Sequence, residues 1–177
     1  MIRSIRTKLI QFARDEAGTS TIEFLLVFPI IFTTFIASFE SGFFMMRYVM
    51  LDRGLDMTVR ELRLGVIATP ALANIKKSIC DKGQLISDCE ASIRLELTSV
   101  DTTTWIFPTG QIQCLDKGQP PEPVVEPSLG IENEVMLIRA CLSAQPMFPT
   151  AIVAASMNRS SVGDYFVSAT SAFVNEP

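Results

Sequence analysis

Histidine is absent from this 177-residue chain, which therefore lacks the side chain that proteins most often use as a general base, a pH switch or a metal ligand. The four cysteines form no Cys-x-x-Cys pair, so the usual spacing of a zinc site is missing as well. No glycine-rich phosphate loop follows a strand pattern, and no carboxylate cluster has metal-ligand spacing. We therefore predict that the protein is not an enzyme and has no cofactor or metal.

Basic residues are scarce beyond the first eighteen positions. The remainder of the chain holds eleven basic and seventeen acidic residues, a formal charge of −6. A nucleic-acid-binding domain would show a basic patch, so we predict no nucleic-acid partner. A second run of eighteen apolar residues is also missing, which limits the chain to one membrane segment.

One apolar run dominates the N-terminal third. Residues 24–39 carry no charge, and the run extends through Met46 if Glu40 is accepted within it. As a helix rising about 1.5 Å per residue, the longer run measures roughly 35 Å, against about 30 Å for the hydrocarbon core of a bilayer. We predict a single membrane span, in which Pro29 removes one backbone hydrogen bond and bends the helix.

The entrance to this run is distinctive. Four basic residues precede Gly18, and the apolar run opens with a lone carboxylate, Glu23, which would be residue five of a chain that began at Thr19. A secretory signal peptide would instead be cut beyond its apolar run, after small residues. The only candidate for such a cleavage site, residues 37–39, has Phe39 at a position where signal peptidase needs a small residue.

These features resemble a prepilin processing site. Leu-Leu-Val-Phe-Pro-Ile-Ile from Leu25, Phe-Glu-Ser-Gly from Phe39 and the closing Asn-Glu-Pro at 175–177 are similar to TadE-like minor pseudopilins of the tight-adherence (Tad/Flp) type IV pilus system. The resemblance implies cleavage between Gly18 and Thr19 by a prepilin peptidase. It also implies that Glu23 serves peptidase recognition and assembly, by neutralising the N-terminal amine of a neighbouring subunit.

The resemblance also implies partners and a location. The partners would be other major and minor pilins and the inner-membrane pilus assembly platform. The protein would be a single-pass inner-membrane protein with its C-terminal domain in the periplasm, incorporated into the extracellular pilus on assembly. The alternative is an unprocessed single-span protein whose periplasmic domain acts as a scaffold or adaptor. Only the pseudopilin needs Gly18 and Glu23.

A second carboxylate, Glu40, lies late in the run. It either reaches the periplasmic headgroups or makes a partner contact within the membrane, where Ser38 and Gly42 would form a small-residue face that lets another helix approach. Arg47, two turns on, would lie on a similar face and help to satisfy the carboxylate. We count Pro29, Ser38, Glu40 and Gly42 as candidate helix-packing residues.

The cysteines all lie beyond the apolar run, at positions 80, 89, 114 and 141. An even number of cysteines in a small exported domain favours disulfides and an oxidising compartment. The Lys/Arg counts on the two sides of the span do not decide its orientation, and the cysteines favour a periplasmic C-terminal domain. Four cysteines allow three connectivities. We favour Cys80 with Cys89 and Cys114 with Cys141, without excluding the other two.

Hydrophobic periodicity predicts the fold class. Apolar residues recur at helical spacing from Tyr48 to Val66, so the membrane helix would continue as an amphipathic helix that ends near Gly65. A short helix over 71–79, strands over 93–98 and 135–142, a possible strand at 105–107, a short helix over 151–157 and a closing strand over 165–174 follow. We predict a pilin-like α+β protein with a leader (1–18), a long helix (19–67) and a periplasmic domain with an antiparallel sheet (68–177).

Overall fold

A computed structural model describes residues 19–67, 71–84, 88–108, 112, 114, 133–157 and 159–174. Its elements, in chain order, are α1 (Thr19–Arg63), α2 (Leu72–Lys82), α3 (Cys89–Ser92), β1 (Ile93–Val100), β2 (Val135–Ala144), α4 (Ile152–Ser156) and β3 (Tyr165–Val174). One long helix packs on a small antiparallel sheet, so the predicted α+β class is confirmed.

The helix α1 runs for 45 residues and joins an exposed apolar half to a half that packs on the sheet. In the second half, Leu51, Leu55 and Val59 are buried at intervals of four residues, which places them on one face. The helix ends in a Schellman motif. Gly65, at φ +65°, donates its N–H to the Leu62 carbonyl, and Val66 donates its N–H to the Glu61 carbonyl. The predicted end of the helix is confirmed.

The sheet has the order β1-β2-β3, and both pairs are antiparallel. The central position of β2 agrees with its sequence, which is apolar on both faces. Strand β3 lies against α1: Tyr165, at its start, contacts Arg47, and Ser171 donates a hydrogen bond of 3.2 Å to Asp56. The strand β3 therefore runs alongside α1 in the same direction, and its first residue lies nearest the apolar half of the helix.

The core lies between α1, α2 and one face of the sheet. Its members share that face because strand residues two apart point the same way. The buried members are Leu51, Leu55, Val59, Ile75, Ile79, Ile93, Leu95, Met136, Ile138, Ala140, Leu142, Ala144, Tyr165, Val167, Ala169 and Phe173.

The predicted strand at 105–107 is wrong. Thr103 donates its N–H and its hydroxyl to the Asp101 carboxylate, and these bonds close a turn directly after β1 and keep the pKa of Asp101 below its ordinary value. Trp105 follows at φ +50°, outside the strand region, and residues 105–107 are exposed. Local side-chain bonding thus outweighs the strand preference of these apolar residues.

The helix α2 sits directly on the backbone of α1. Lys82 forms a 2.6 Å salt bridge with Glu61, and this hydrogen bond holds the pKa of Glu61 below its ordinary value. Nearby, the Thr58 and Ser78 hydroxyls lie 3.1 Å apart. Gly54 permits the approach, because a Cβ there would lie 2.7 Å from the Ile79 carbonyl oxygen.

Gly54→Ala is therefore expected to destabilise the protein. The clash with backbone should cost about 1–3 kcal/mol, more than the roughly 1 kcal/mol that alanine gains over glycine in a helix. Gly42→Ala is the matched control, since a Cβ there would meet nothing within 4 Å, and it should be neutral or stabilising. Thermal unfolding of both variants in detergent micelles measures the difference. Equal melting temperatures would contradict the close contact at Gly54.

Two disulfides cross-link the domain. The structure joins Cys80 to Cys89, with Cα atoms 5.7 Å apart, and Cys114 to Cys141, with Cα atoms 5.3 Å apart. This is the pairing that we favoured from the sequence. The first bond ties α2 to α3, and the second ties residue 114 to the central strand.

Removing the two disulfides should have unequal effects. The Cys80–Cys89 and Cys114–Cys141 bonds join residues 9 and 27 positions apart in the sequence. The entropy that a disulfide removes from the unfolded chain grows with the length of the loop that it closes. Cys114→Ala/Cys141→Ala should therefore cost about 1 kcal/mol more stability than Cys80→Ala/Cys89→Ala. Thermal unfolding of the two double variants tests the order, and a larger loss for the 80–89 pair would contradict it.

Candidate functional site: the apolar helix and its junction with the domain

The apolar half of α1 makes no buried contact with the rest of the described protein. By length and composition the helix could cross a membrane, and its most apolar stretch is not buried against the rest of the described protein. Residues 20–39 span about 30 Å as a helix, close to the thickness of a hydrocarbon core. This half therefore has the length and the surface of a membrane segment.

Aromatic and hydroxyl side chains are arranged along this half in a way that suits an apolar surrounding. Phe24, Phe28 and Phe32 stack in succession, with ring centroids 5.0 and 5.6 Å apart. The Thr34 and Ser38 hydroxyls donate to carbonyls four residues earlier, at 2.8 and 2.9 Å. These polar groups are satisfied within the helix and need no water.

Several predicted site residues lie on this half. Pro29 is inside the uninterrupted helix, and Glu23 is exposed one turn from its start. Among the residues that the structure describes, Glu23 has neither an ion-pair nor a hydrogen-bond partner. Ser38 and Gly42 are exposed one turn apart, and space is open at Gly42. Their roles in packing and assembly stay predictions, and Gly18 lies outside the described residues.

Glu40 marks the point where the domain begins. Its side chain is 1% exposed, and its two carboxylate oxygens accept hydrogen bonds from the N–H groups of Met147, at 3.2 Å, and Phe148, at 2.8 Å. From the sequence we expected headgroups or a partner helix at this position. The structure instead gives the carboxylate to the connection between β2 and β3 of the same chain. Only one face of α1 joins the domain here, because Met45, Met46 and Val49 remain exposed beyond Glu40.

Arg47 also binds the connection between β2 and β3. Its guanidinium donates a 2.6 Å hydrogen bond to the Gln145 carbonyl and another to the Tyr165 hydroxyl, and it lies 5.5 Å from the centre of the Tyr165 ring. Burial raises the pKa of Tyr165, and the hydrogen bond from Arg47 opposes that rise. Tyr165 also packs against Phe44, with ring centroids 5.4 Å apart.

Glu40 and Arg47 thus form a junction that fastens the domain to the helix. The Glu40 carboxylate accepts hydrogen bonds from backbone N–H groups of the connection, and the Arg47 guanidinium donates one to a backbone carbonyl of the same segment. The sequence indicated that these two residues were unusual, but it gave no signal for their partners. Backbone N–H and C=O groups are present at every residue, so only the tertiary fold selects those at 145–148.

Glu40→Ala should loosen this junction. Two partly buried N–H groups would lose a charged acceptor, and hydrogen bonds to charged groups contribute about 1.5–3 kcal/mol each. We expect the Met147 and Phe148 amides to exchange with deuterium at least about tenfold faster. Glu90→Ala, which removes an exposed carboxylate, is the control and should leave exchange unchanged. Unaltered exchange in Glu40→Ala would contradict the junction.

Comparison with known protein families gives a match that lies on helix α1. Residues 18–60 match the model of the family described as TadE-like protein. Over these residues the chain is similar to TadE-like proteins. The resemblance inferred from its motifs is confirmed there, and it suggests a Tad pilus-associated protein. No curated protein and no solved structure matched the chain.

The matched region coincides with most of α1. It begins at Gly18 and includes Glu23, the whole apolar half, Glu40, Arg47 and Gly54. The sheet, α2 and the cysteines lie outside the match. The family relationship therefore rests on the apolar half and on the residues that join it to the domain. The similar tail at 175–177 lies outside the described residues.

Proposed function

We propose that this protein is a TadE-like minor pseudopilin, a structural subunit for the assembly or priming of a Tad/Flp type IV pilus. A prepilin peptidase would cut it after Gly18, and the new N-terminus would be Thr19. One finding supports this: the family match begins at Gly18 and includes Glu23. We propose a structural rather than an enzymatic role.

The observation that carries the proposal is the unpartnered apolar half of α1. Its apolar side chains are exposed over about 30 Å, and Glu40 after them is hydrogen-bonded to the domain. Such a surface needs lipid before assembly and other apolar helices after it. A pilus subunit makes this exchange, because its helix leaves the bilayer for the apolar core of the filament.

Glu23 supplies a specific contact in this proposal. It is exposed near the start of the helix and has no partner among the described residues. A carboxylate in an apolar surrounding is costly unless it is paired. The free amine at Thr19 of a neighbouring subunit would pair with it, so cleavage and docking become linked steps.

The location follows from the same arrangement. The helix would cross the inner membrane once, with the leader in the cytoplasm and the domain in the periplasm, where an oxidising environment maintains the two disulfides. The proposed partners are the prepilin peptidase, other major and minor pilins and the inner-membrane assembly platform. Ser38 and Gly42 leave an open face for one of their helices.

The N-terminus of the protein from its native host tests the proposal. We would extract it from membranes and measure its intact mass and N-terminal sequence. A start at Thr19 supports the pseudopilin. A start at Met1 would overturn it in favour of an unprocessed scaffold, and a start near Ser41 would show that the apolar helix is a removed signal peptide.

A further inference from the structure

We propose that the connection between β2 and β3, residues 145–164, makes a second membrane contact. The Met147 and Ile152 side chains would insert into the periplasmic surface of the bilayer that α1 crosses. This inference rests on the proposed function, because it requires α1 to span the bilayer. The occupant of this apolar surface would be lipid rather than another protein chain.

The height of the connection relative to the span supports this placement. Glu40 directly follows Phe39, the last residue of the apolar half, and its carboxylate binds the Met147 and Phe148 N–H groups. Residues 20–39 use about the full 30 Å of a hydrocarbon core. Exposed apolar side chains of α1 continue past Glu40 at Met45, Met46 and Val49, so the connection lies beside this surface, near the edge of the hydrocarbon core.

The surface of the connection suits that depth. Met147 is 53% exposed and Ile152 is 71% exposed, and Val162 lies exposed in the turn before β3. No charged residue occurs from Ala140 to Asn158, so these nineteen residues carry no charge that would oppose contact with lipid, and the exposed Arg159 follows them. An apolar, uncharged surface next to a membrane span continues the surface of the span itself.

The backbone of the connection is already bonded to protein groups. Arg159 donates to the Ala154 carbonyl at 2.6 Å and to the Pro149 carbonyl at 3.0 Å, while Arg47 holds the Gln145 carbonyl. Glu40 takes two of the N–H groups. Polar backbone groups that are satisfied internally lower the cost of approaching the hydrocarbon, so the exposed side chains can enter without stranding them.

The opposite end of the domain provides the contrast. Val100, Val135 and Val174 are aligned across the sheet, and β3 carries the chain nine residues, about 30 Å, from Tyr165 to Val174. Val174 and the single tryptophan, Trp105, are exposed there. Exposed apolar residues at this end should not reach lipid.

Tryptophan fluorescence in nanodiscs tests the inference. In a Trp105→Phe background, we would introduce Phe28→Trp in the span, Ile152→Trp in the connection and Val174→Trp at the far end, all at exposed positions. Each full-length protein is placed, one copy per disc, in phosphatidylcholine with or without brominated acyl chains. Because bromine quenches tryptophan on contact, Phe28→Trp and Ile152→Trp should each lose about half of their emission or more, and Val174→Trp should be unchanged.

The outcomes separate the two proposals. If Phe28→Trp is quenched and Ile152→Trp is not, the membrane anchor stands and the lipid contact is wrong. A blue-shifted but unquenched Ile152→Trp means that protein covers the connection, which also overturns the inference. If Phe28→Trp is not quenched, the proposed anchor itself fails, and the lipid contact fails with it.

Discussion

Gly18→Arg is expected to leave the protein as an uncut precursor of 177 residues that still enters the membrane. A prepilin peptidase would have to place the bond after residue 18 against its catalytic carboxylates, and a long charged side chain at that position blocks the approach. Insertion depends on the apolar half of α1, which the change does not touch. The effect should be close to complete, because a bond that cannot reach the active site is not cut.

Intact mass after membrane extraction measures this result. Gln11→Arg is the matched control, since it adds the same charge to the leader at seven residues from the bond, and it should be processed normally. A Gly18→Arg protein that still begins at Thr19 would contradict processing at this site. Both variants should float with membranes, which separates a processing defect from a failure to insert.

Glu23→Ala should stop assembly while leaving membrane insertion intact. In the proposed filament, the carboxylate pairs with the N-terminal amine of a neighbour inside an apolar core. Breaking a buried ion pair by removing one partner costs about 3–5 kcal/mol, because the remaining charge stays buried alone. We therefore expect the amount of subunit recovered in sheared pili to fall by about a hundredfold.

The controls for Glu23 use the same helix. Glu23→Asp keeps the charge and should retain much of the assembly, whereas Glu23→Gln keeps the size and should not. The fraction in sheared pili is compared with the fraction in membranes for each variant by immunoblot. Normal piliation in Glu23→Ala would show that the residue is an ordinary interfacial carboxylate and would favour the scaffold alternative.

The junction at Glu40 and Arg47 fixes the helix to the sheet. Both side chains bind the connection between β2 and β3. Gly54 adds a second close contact, between the backbones of α1 and α2. A subunit drawn from the membrane into a filament would therefore move as one body from residue 40 onward.

The sequence by itself determined the features that depend on local pattern. A long apolar run near the N-terminus, a helix that continues with apolar residues four apart, and the strand β1 each follow from near neighbours in the chain. The family resemblance lay in the same kind of local signal, around Gly18, Glu23 and Glu40. These parts of the prediction agree with the structure and with the family match.

The tertiary structure alone decided the contacts between distant segments. Glu40 lies 107 and 108 residues from the two N–H groups that it binds, and these donors have no side-chain signature. The sequence could not tell which groups the Glu40 carboxylate binds, because a carboxylate late in a span is equally compatible with headgroups, a partner helix or its own domain. The choice among the three depends on which groups the folded chain brings within hydrogen-bond distance, and that is a property of the packed sheet.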